Sequence, residues 1–445
     1  MRSKRGMVAP LALAQFIASF AATTMTVSIG AIADDLHTSV SSVQLMITLF
    51  TLTMAALMVP GSKLTDVWGR KTCFVAGLAV YGTGALLAAL APGPWLLLVG
   101  YSVLGGVGSA LMIPPIYILV TVAFADVAGR ARSFAAVSAA GGVGAAAGPL
   151  LGGLLTTAFG WRSAFLLQAA VVAAILVAAR GLRDPGPPPR SSRFDVPGAV
   201  LSGAAMFLVV LGVLRSAWAV VGLGVLVLVW FGWHISRRAD PLCPPALFRD
   251  PRTVLGLATQ LVQWLVLQGA FIVLSVYAQQ VRGLDAVRSG LALAPATAGV
   301  LAAAAVAERL ARKHPQHRIV RAGFAVTVVG VALLVWPVRH DSGFAAFLPG
   351  LLLLGAGVGT MLTASVTLVQ SAWPAEAQGA VSGVSRAVSN LGSSLGTALA
   401  GSAVASTVAG GGPYASALAV LGGFAVVGFG VAVLLPRQSA PPPPT

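Results

Sequence analysis

Charge is what this sequence has least of. Only 9% of its 445 residues are Asp, Glu, Lys or Arg, where a soluble domain carries about 25%. With 57% hydrophobic residues and a mean hydropathy of +0.90, the chain cannot solvate the surface of an ordinary soluble fold. Acids are scarcer than bases, 12 against 28, for a net charge of +16. A nucleic-acid binder gathers such a surplus on one face of a polar domain. Here the basic residues sit in short gaps between apolar runs, so no nucleic-acid partner is expected. Cys73 and Cys243 are too far apart to suggest a metal motif, and no disulfide, metal or cofactor is implied. All five histidines and all 12 acids fall in loops or at the ends of apolar runs. An intramembrane enzyme would need convergent acids, histidines or a nucleophile–base pair. None is visible, so no catalytic residue is expected.

What the chain has in abundance is span-length apolar sequence, each crossing needing about 20 mainly apolar residues. Fourteen such runs are readable, from 8–32 to 414–435, and they predict an all-α polytopic protein whose partner is the lipid bilayer. The basic start Met1 to Arg5 leads into a span-length run without a convincing cleavage site, as expected for a retained first helix. An even count puts both termini on one side. That side holds 22 of the 28 basic residues, and the positive-inside rule makes it cytoplasmic, in a cell membrane.

The longest cytoplasmic gaps, Arg180 to Asp195 and His234 to Arg252, enclose just two spans. The layout is therefore a six-helix bundle at 1–180, linkers at 181–252 around two extra helices (197–214 and 217–235), a six-helix bundle at 253–436, and a disordered cytoplasmic tail at 437–445. Two six-helix halves related by an axis along the membrane normal suit a rocking transporter.

Between the second and third runs lies Gly61-Ser62-Lys63-Leu64-Thr65-Asp66-Val67-Trp68-Gly69-Arg70-Lys71. Gly61 and Gly69 are expected to make tight turns and Asp66 to accept hydrogen bonds at a helix N-terminus, while Arg70 and Lys71 hold the loop on the cytoplasmic side. The fifth run contains Gly144-Ala-Ala-Ala-Gly148-Pro149-Leu-Leu-Gly152-Gly153. Its small residues let helix backbones touch, and Pro149 removes a backbone bond and permits a bend.

These two motifs resemble those of the major facilitator superfamily. The second resembles the fifth-helix motif of its exporters. Gly160-Trp161-Arg162 with Phe165, Pro241 to Arg249, and Tyr277 to Gly283 resemble the fourteen-spanner drug:proton antiporter branch. The resemblance implies two six-helix bundles plus an inserted hairpin, a monomer, and export of an amphiphilic drug or metabolite by alternating access with proton antiport. It also implies that Asp66, Gly69 and Arg70 form an inner gate. The departures count too. Where the branch commonly has a buried aspartate in helix 1 this chain has Ala21, and where it has an arginine in helix 4 this chain has Ser102.

Without a deep acid, three possibilities stay open: Asp34 or Asp35 couples protons at the outer mouth, the substrate carries its own proton, or the protein is an uncoupled facilitator of a neutral or anionic metabolite or lipid. A transport-like membrane scaffold is the further alternative. The candidate substrate contacts are polar, aromatic or sulfur-bearing residues within spans: Thr23, Gln44, Tyr101, Met112, Gln260, Trp264, Gln268, Arg386 and Asn390. Gln260, Trp264 and Gln268 share a helix face by i, i+4 spacing. As a set with no acid, they describe a pocket for a large, mainly apolar solute that is neutral or anionic.

Overall fold

The computed structural model describes residues 2–123, 127–182, 194–238, 240–311, 314–340, 343–373, 377–405 and 412–436. The proline run at 185–189, the tail at 437–445, Asp126 and Glu376 lie outside the described residues, as do the side chains of Asp66 and Glu308.

The first crossing is not one helix. α1 (Arg2–Thr24) and α2 (Ile29–Asp35) meet at 68°, where the sequence expectation was an unbroken span over 8–32. The hydroxyls there bond backward along the chain, Thr24 Oγ1 donating to Phe20 O at 2.7 Å and Thr26 Oγ1 to Thr23 O at 2.6 Å. Hydroxyl groups bonding nearby carbonyls compete with the helical ladder. There follow α3 (Val40–Trp68), α4 (Arg70–Ala89), and α5 (Pro94–Leu97), which passes through a π-helical stretch, Leu98–Leu104, into α6 (Gly105–Ala123). Next come α7 (Val127–Phe159), α8 (Arg162–Ala179), α9 (Val196–Leu214) and α10 (Trp218–Arg237). The last six crossings are α11 (Pro251–Val276), ending in a π turn over Tyr277–Val281, then α12 (Ala286–Ala311), α13 (Gln316–Arg339), α14 (Leu348–Gln370), α15 (Gln378–Ala405) and α16 (Gly412–Leu434).

Among the described residues, twelve helices are long and apolar enough to cross a membrane, and the bent α1–α2 pair makes thirteen. The fourteenth is α15, whose 28 residues reach about 40 Å at 1.5 Å each but carry many serines. Its Ser385, Ser389, Ser393, Ser394 and Thr397 are buried, because α3, α9, α11 and α16 surround it. Polar groups that lipid could not satisfy find partners inside the protein.

Two six-helix bundles and an inserted hairpin, α9–α10, result. We call the side that carries the start of α1 and the end of α16 the terminal face, and the other the far face. The bundles meet along two seams, α3 with α15 and α7 with α12. At the α3–α15 seam Ser394 Oγ donates to Thr51 Oγ1 at 2.8 Å, and toward the terminal face a Cβ on Gly383 would lie 2.9 Å from Ser62 Cβ. At the other seam a Cβ on Gly290 would strike Pro149 O. Backbones touch there because glycine has no side chain.

Two expectations about the short charged loop need correction. α3 runs on through Pro60 and Gly61 to Trp68, so Gly61 makes no turn. It is helical and lets α6 approach, since a Cβ there would strike Ala110 O. The turn is made by Gly69 alone, with φ of 93°, the left-handed region that glycine tolerates. Asp66 accordingly stands in the last turns of α3 and not at a helix N-terminus.

Candidate translocation site

The first bundle is neutral where a buried charge pair would stand. Ala21, Thr24, Ser28, Trp161, Phe165 and Gln168 line a small cleft. Around it the polar groups answer one another: Tyr81 Oη donates to Gln168 Oε1 at 2.6 Å, and the hydroxyls of Ser28 and Thr156 lie 2.7 Å apart. Ser102 Oγ donates to Met46 O on α3 at 2.8 Å. Tyr101 stacks on Phe50 with ring centroids 4.7 Å apart and meets Phe165 edge-on at 5.8 Å, which leaves its buried hydroxyl without a partner.

In the second bundle, Gln260 Nε2 donates to Ser365 O at 3.1 Å, and its Oε1 accepts from Ser385 Oγ. One amide thus ties α11 to both α14 and α15. Ser365 Oγ in turn donates to Gln263 Oε1 at 3.2 Å. The face proposed to join Gln260, Trp264 and Gln268 is therefore divided in its chemistry. Gln260 is fully engaged in packing, Trp264 is half-buried against the core, and Gln268 is buried with a free Nε2.

Two other expected contacts, Thr23 and Met112, are buried in helix packing. Thr23 Oγ1 donates to Ala145 O on α7 at 3.0 Å. Met112 is fully buried in the core, where a Cβ on Gly77 would come within 2.6 Å of its backbone nitrogen. Asn390 is half-buried, and its carbonyl accepts from Ser394 Oγ at 2.9 Å. Arg386 is half-buried on α15. Gln44 is buried with an unpartnered Nε2. Gln44, Tyr101, Gln263 and Gln268 are thus neutral donors left free inside the fold. Leaving a buried donor unpaired costs about 1–3 kcal/mol, a cost that ligand or water would offset.

The far face carries a bolt between the bundles that sequence reasoning missed. Ser275 Oγ donates to Thr26 O at 2.7 Å, Gln279 Nε2 donates to Ser275 Oγ at 2.9 Å, and Gln279 Oε1 accepts from Gly30 N–H at 3.1 Å. The break between α1 and α2 frees the backbone groups that the bolt engages. The available signal was a Ser and a Gln four apart at the end of an apolar run. Asp34 and Asp35 are exposed nearby. Asp35 Oδ2 accepts from Arg162 Nη1 at 2.6 Å and from Trp161 Nε1 at 3.2 Å, which fastens α2 to α8.

On the terminal face, Lys71 Nζ donates to Leu182 O at 2.7 Å. That carbonyl lies just past the end of α8, in the same bundle. Arg70 is half-buried with an unpartnered Nε. The glycines of the fifth run pack α7 onto α1 within the first bundle and not between the bundles. Gly144 abuts Phe16 O, Gly148 abuts Thr23, and a Cβ on Gly152 would meet Thr24 Cγ2 at 2.7 Å. Gly153 is buried beside them. A further buried pair closes the hairpin: His234 Nε2 lies 3.0 Å from Asp195 Oδ1, and Asp195 caps α9 by accepting from Gly198 N–H at 3.1 Å.

Comparison with known proteins bears on all of this. The "Probable actinorhodin transporter" of Streptomyces coelicolor is 30% identical over 82% of this chain and 66% of its own length. The "Puromycin resistance protein pur8" of Streptomyces alboniger is 31% identical over 86% of this chain and 78% of its own. The chain spans just under two thirds of the length of the first curated relatives it matches. Among solved structures, a "POT family transporter in complex with thioalcohol conjugated peptide" superposes with a TM-score of 0.72, covering 96% of this chain and 95% of its own at 14% identity. That likeness concerns the fold. The model described as "Major Facilitator Superfamily" matches residues 11–397, and the chain belongs to that family of membrane transporters.

Proposed function

We propose that this protein is a secondary transporter that exports an amphiphilic or lipophilic small molecule, a drug or secondary metabolite, by alternating access. The observation that carries this reading is the buried polarity: the two bundles hold free neutral donors at Gln44, Tyr101, Gln263 and Gln268. Such groups suit a solute with acceptor oxygens and a large apolar body. The relatives named for antibiotic transport and resistance support the outward direction.

The working protein is a monomer in the plasma membrane with the terminal face cytoplasmic, needs no cofactor, and moves its bundles at 1–180 and 253–436 against one another. Gly61, Asp66, Gly69 and Arg70 serve the cytoplasmic side of that motion, and Arg386 stands near it on α15. Coupling to protons completes the reading, with Asp34 and Asp35 as the acids nearest the outer mouth. A second reading, an uncoupled facilitator, is favoured by the neutral cleft around Ala21 and by Ser102.

Proteoliposomes containing puromycin, with and without an imposed pH gradient, separate the two. Accumulation that follows the gradient and is lost in Asp34→Asn/Asp35→Asn establishes antiport at the outer mouth. Equilibration that ignores the gradient establishes the facilitator, and no movement of puromycin or of other lipophilic probes refutes transport.

A further inference from the structure

The inserted hairpin carries a stripe of unlike chemistry on its lipid side. On α10, Leu226, Trp230, Trp233 and Arg237 follow one another at steps of four, three and four residues and so share one helix face. Gly224, Phe231 and Ile235 are the buried side of the same helix, and Gly224 abuts Val209 of α9. The stripe therefore points away from the protein, with Leu226, Trp230 and Trp233 exposed by 67%, 56% and 51%. From Leu226 to Arg237 the helix rises about 16 Å at 1.5 Å per residue, which matches one leaflet of a hydrocarbon core about 30 Å thick. At its terminal-face end the Arg237 guanidinium lies over the Trp233 ring, 4.4 Å from the centroid. The stripe is apolar through the depth of a leaflet and turns cationic at headgroup level, where tryptophans gather.

The chain then turns back beneath the hairpin and brings further cations. Leu242, Cys243 and Leu247 are buried, and a 3₁₀ turn over Pro245–Phe248 touches α10. Burial first and then the Asp195 carboxylate push the Cys243 thiol up to about 12, so this strap runs beside the His234–Asp195 pair at the terminal-face end of α10. Arg249 and Arg252 follow the turn directly and are exposed, as is Arg237. The acids of the stretch are mostly committed elsewhere. Asp195 is held by His234 and Gly198 N–H and is offset by the charge of Arg238. Asp250 caps α11, accepting from Thr253 N–H at 3.0 Å and from Thr253 Oγ1 at 2.6 Å. Asp240, exposed, is the acid left over. Among the described residues none of Arg237, Arg249 and Arg252 has a carboxylate partner.

We propose that the terminal-face end of the hairpin is a binding site for an anionic phospholipid of the terminal-side leaflet, its phosphate held by Arg237, Arg249 and Arg252 and an acyl chain laid along Trp233, Trp230 and Leu226. Charge and shape select this occupant together. A soluble phosphate would engage the arginines and leave the stripe unused, and a zwitterionic lipid would cover the stripe and leave the arginines uncompensated. The hairpin then has a task apart from transport, since it ties a lipid to the strap that leads into the second bundle. Nothing in this depends on which solute the protein moves.

The test titrates the full-length protein in detergent with dioleoylphosphatidylglycerol and reads the dissociation constant of the first bound lipid by native mass spectrometry. A basic residue at a membrane surface contributes about fivefold to the attraction of an anionic lipid, so Arg237→Gln/Arg249→Gln/Arg252→Gln should weaken binding about a hundredfold. Should that variant fail to fold, Arg249→Gln alone is expected to show the fivefold step. Trp233→Ala leaves the charge unchanged and should weaken binding about threefold through the lost stacking on Arg237. Arg180→Gln/Arg309→Gln/Arg318→Gln removes three exposed charges elsewhere on the terminal face and should change it by less than about threefold. Equal weakening in that control shows a diffuse attraction and overturns the site. Dioleoylphosphatidylcholine binding the wild type as tightly, or glycerol phosphate displacing the lipid at equal concentration, overturns the choice of occupant.

Discussion

Cutting the far-face bolt should open the protein on that side by a predictable amount. Ser275→Ala/Gln279→Leu removes the two hydrogen bonds that cross between bundles, to Thr26 O and from Gly30 N–H. Bonds between membrane helices average about 0.6 kcal/mol, so the pair contributes about 1.2 kcal/mol to the closed far face. That is about an eightfold change in the ratio of closed to open molecules. Spin labels at Ser41 and Arg288, both exposed and on opposite bundles at the far face, report the separation by double electron–electron resonance. The open fraction should rise about eightfold relative to closed in the double variant, and by about threefold in Gln279→Leu, which loses the contact to Gly30. Gln280→Leu is the control, because its Oε1 accepts from Tyr414 Oη at 3.2 Å within one bundle. An unchanged distance distribution in the double variant, or an equal change in Gln280→Leu, would refute the reasoning.

Other variants test the packing and the caps. Gly148→Val places a side chain where Thr23 stands; overpacking of this kind costs about 1–3 kcal/mol, read as a lower melting temperature in detergent, and Thr23→Ala should restore part of it. Gln260→Leu removes the acceptor of the buried Ser385 hydroxyl and one bond to the Ser365 carbonyl and should destabilise the fold by about 1–3 kcal/mol, whereas Trp264→Leu, half-buried, should cost less. For Asp195, burial pushes the carboxyl upward, but the His234 bond, the Gly198 N–H and the charges of His234 and Arg238 outweigh it, and the net shift is downward. A carboxylate with a depressed folded pKa stabilises above its unfolded value, and that contribution is lost as pH falls through the folded one. Melting of the wild type should therefore fall on acidification below about pH 4 more steeply than that of Asp195→Asn, measured across a pH series.

How much of this was legible in the sequence depends on the range over which each feature is decided. Lipid cannot satisfy a backbone, so crossings are built of helix, and most of the apolar runs announced themselves one by one. α15 is the instructive exception, since its serines were readable as an unusually polar face but only the surrounding helices show how a bilayer accommodates them. The glycines at 144, 148 and 152 were equally legible, because small residues every fourth position mark a helix face whatever covers it. The break at Met25 to Ser28 was not, although the Thr-rich stretch was in plain view. Whether hydroxyls bend a helix or merely decorate it depends on where the freed carbonyls find donors, and one of those donors is Ser275, some 249 positions away.

The sequence by itself determined a chain built of span-length apolar helices and the identity of the polar residues within them. The tertiary structure alone decided what those residues do. Gln260 and Gln268 are the same side chain two turns apart, yet one is saturated by α14 and α15 and the other is free. Lys71 finds its acceptor at Leu182 O, 111 positions on. Gly61 reads as a turn until α6 is seen against it. In each case the deciding partner comes from a distant part of the chain, and hydrogen-bond satisfaction and close backbone approach are properties of neighbours in space, which the local pattern does not carry.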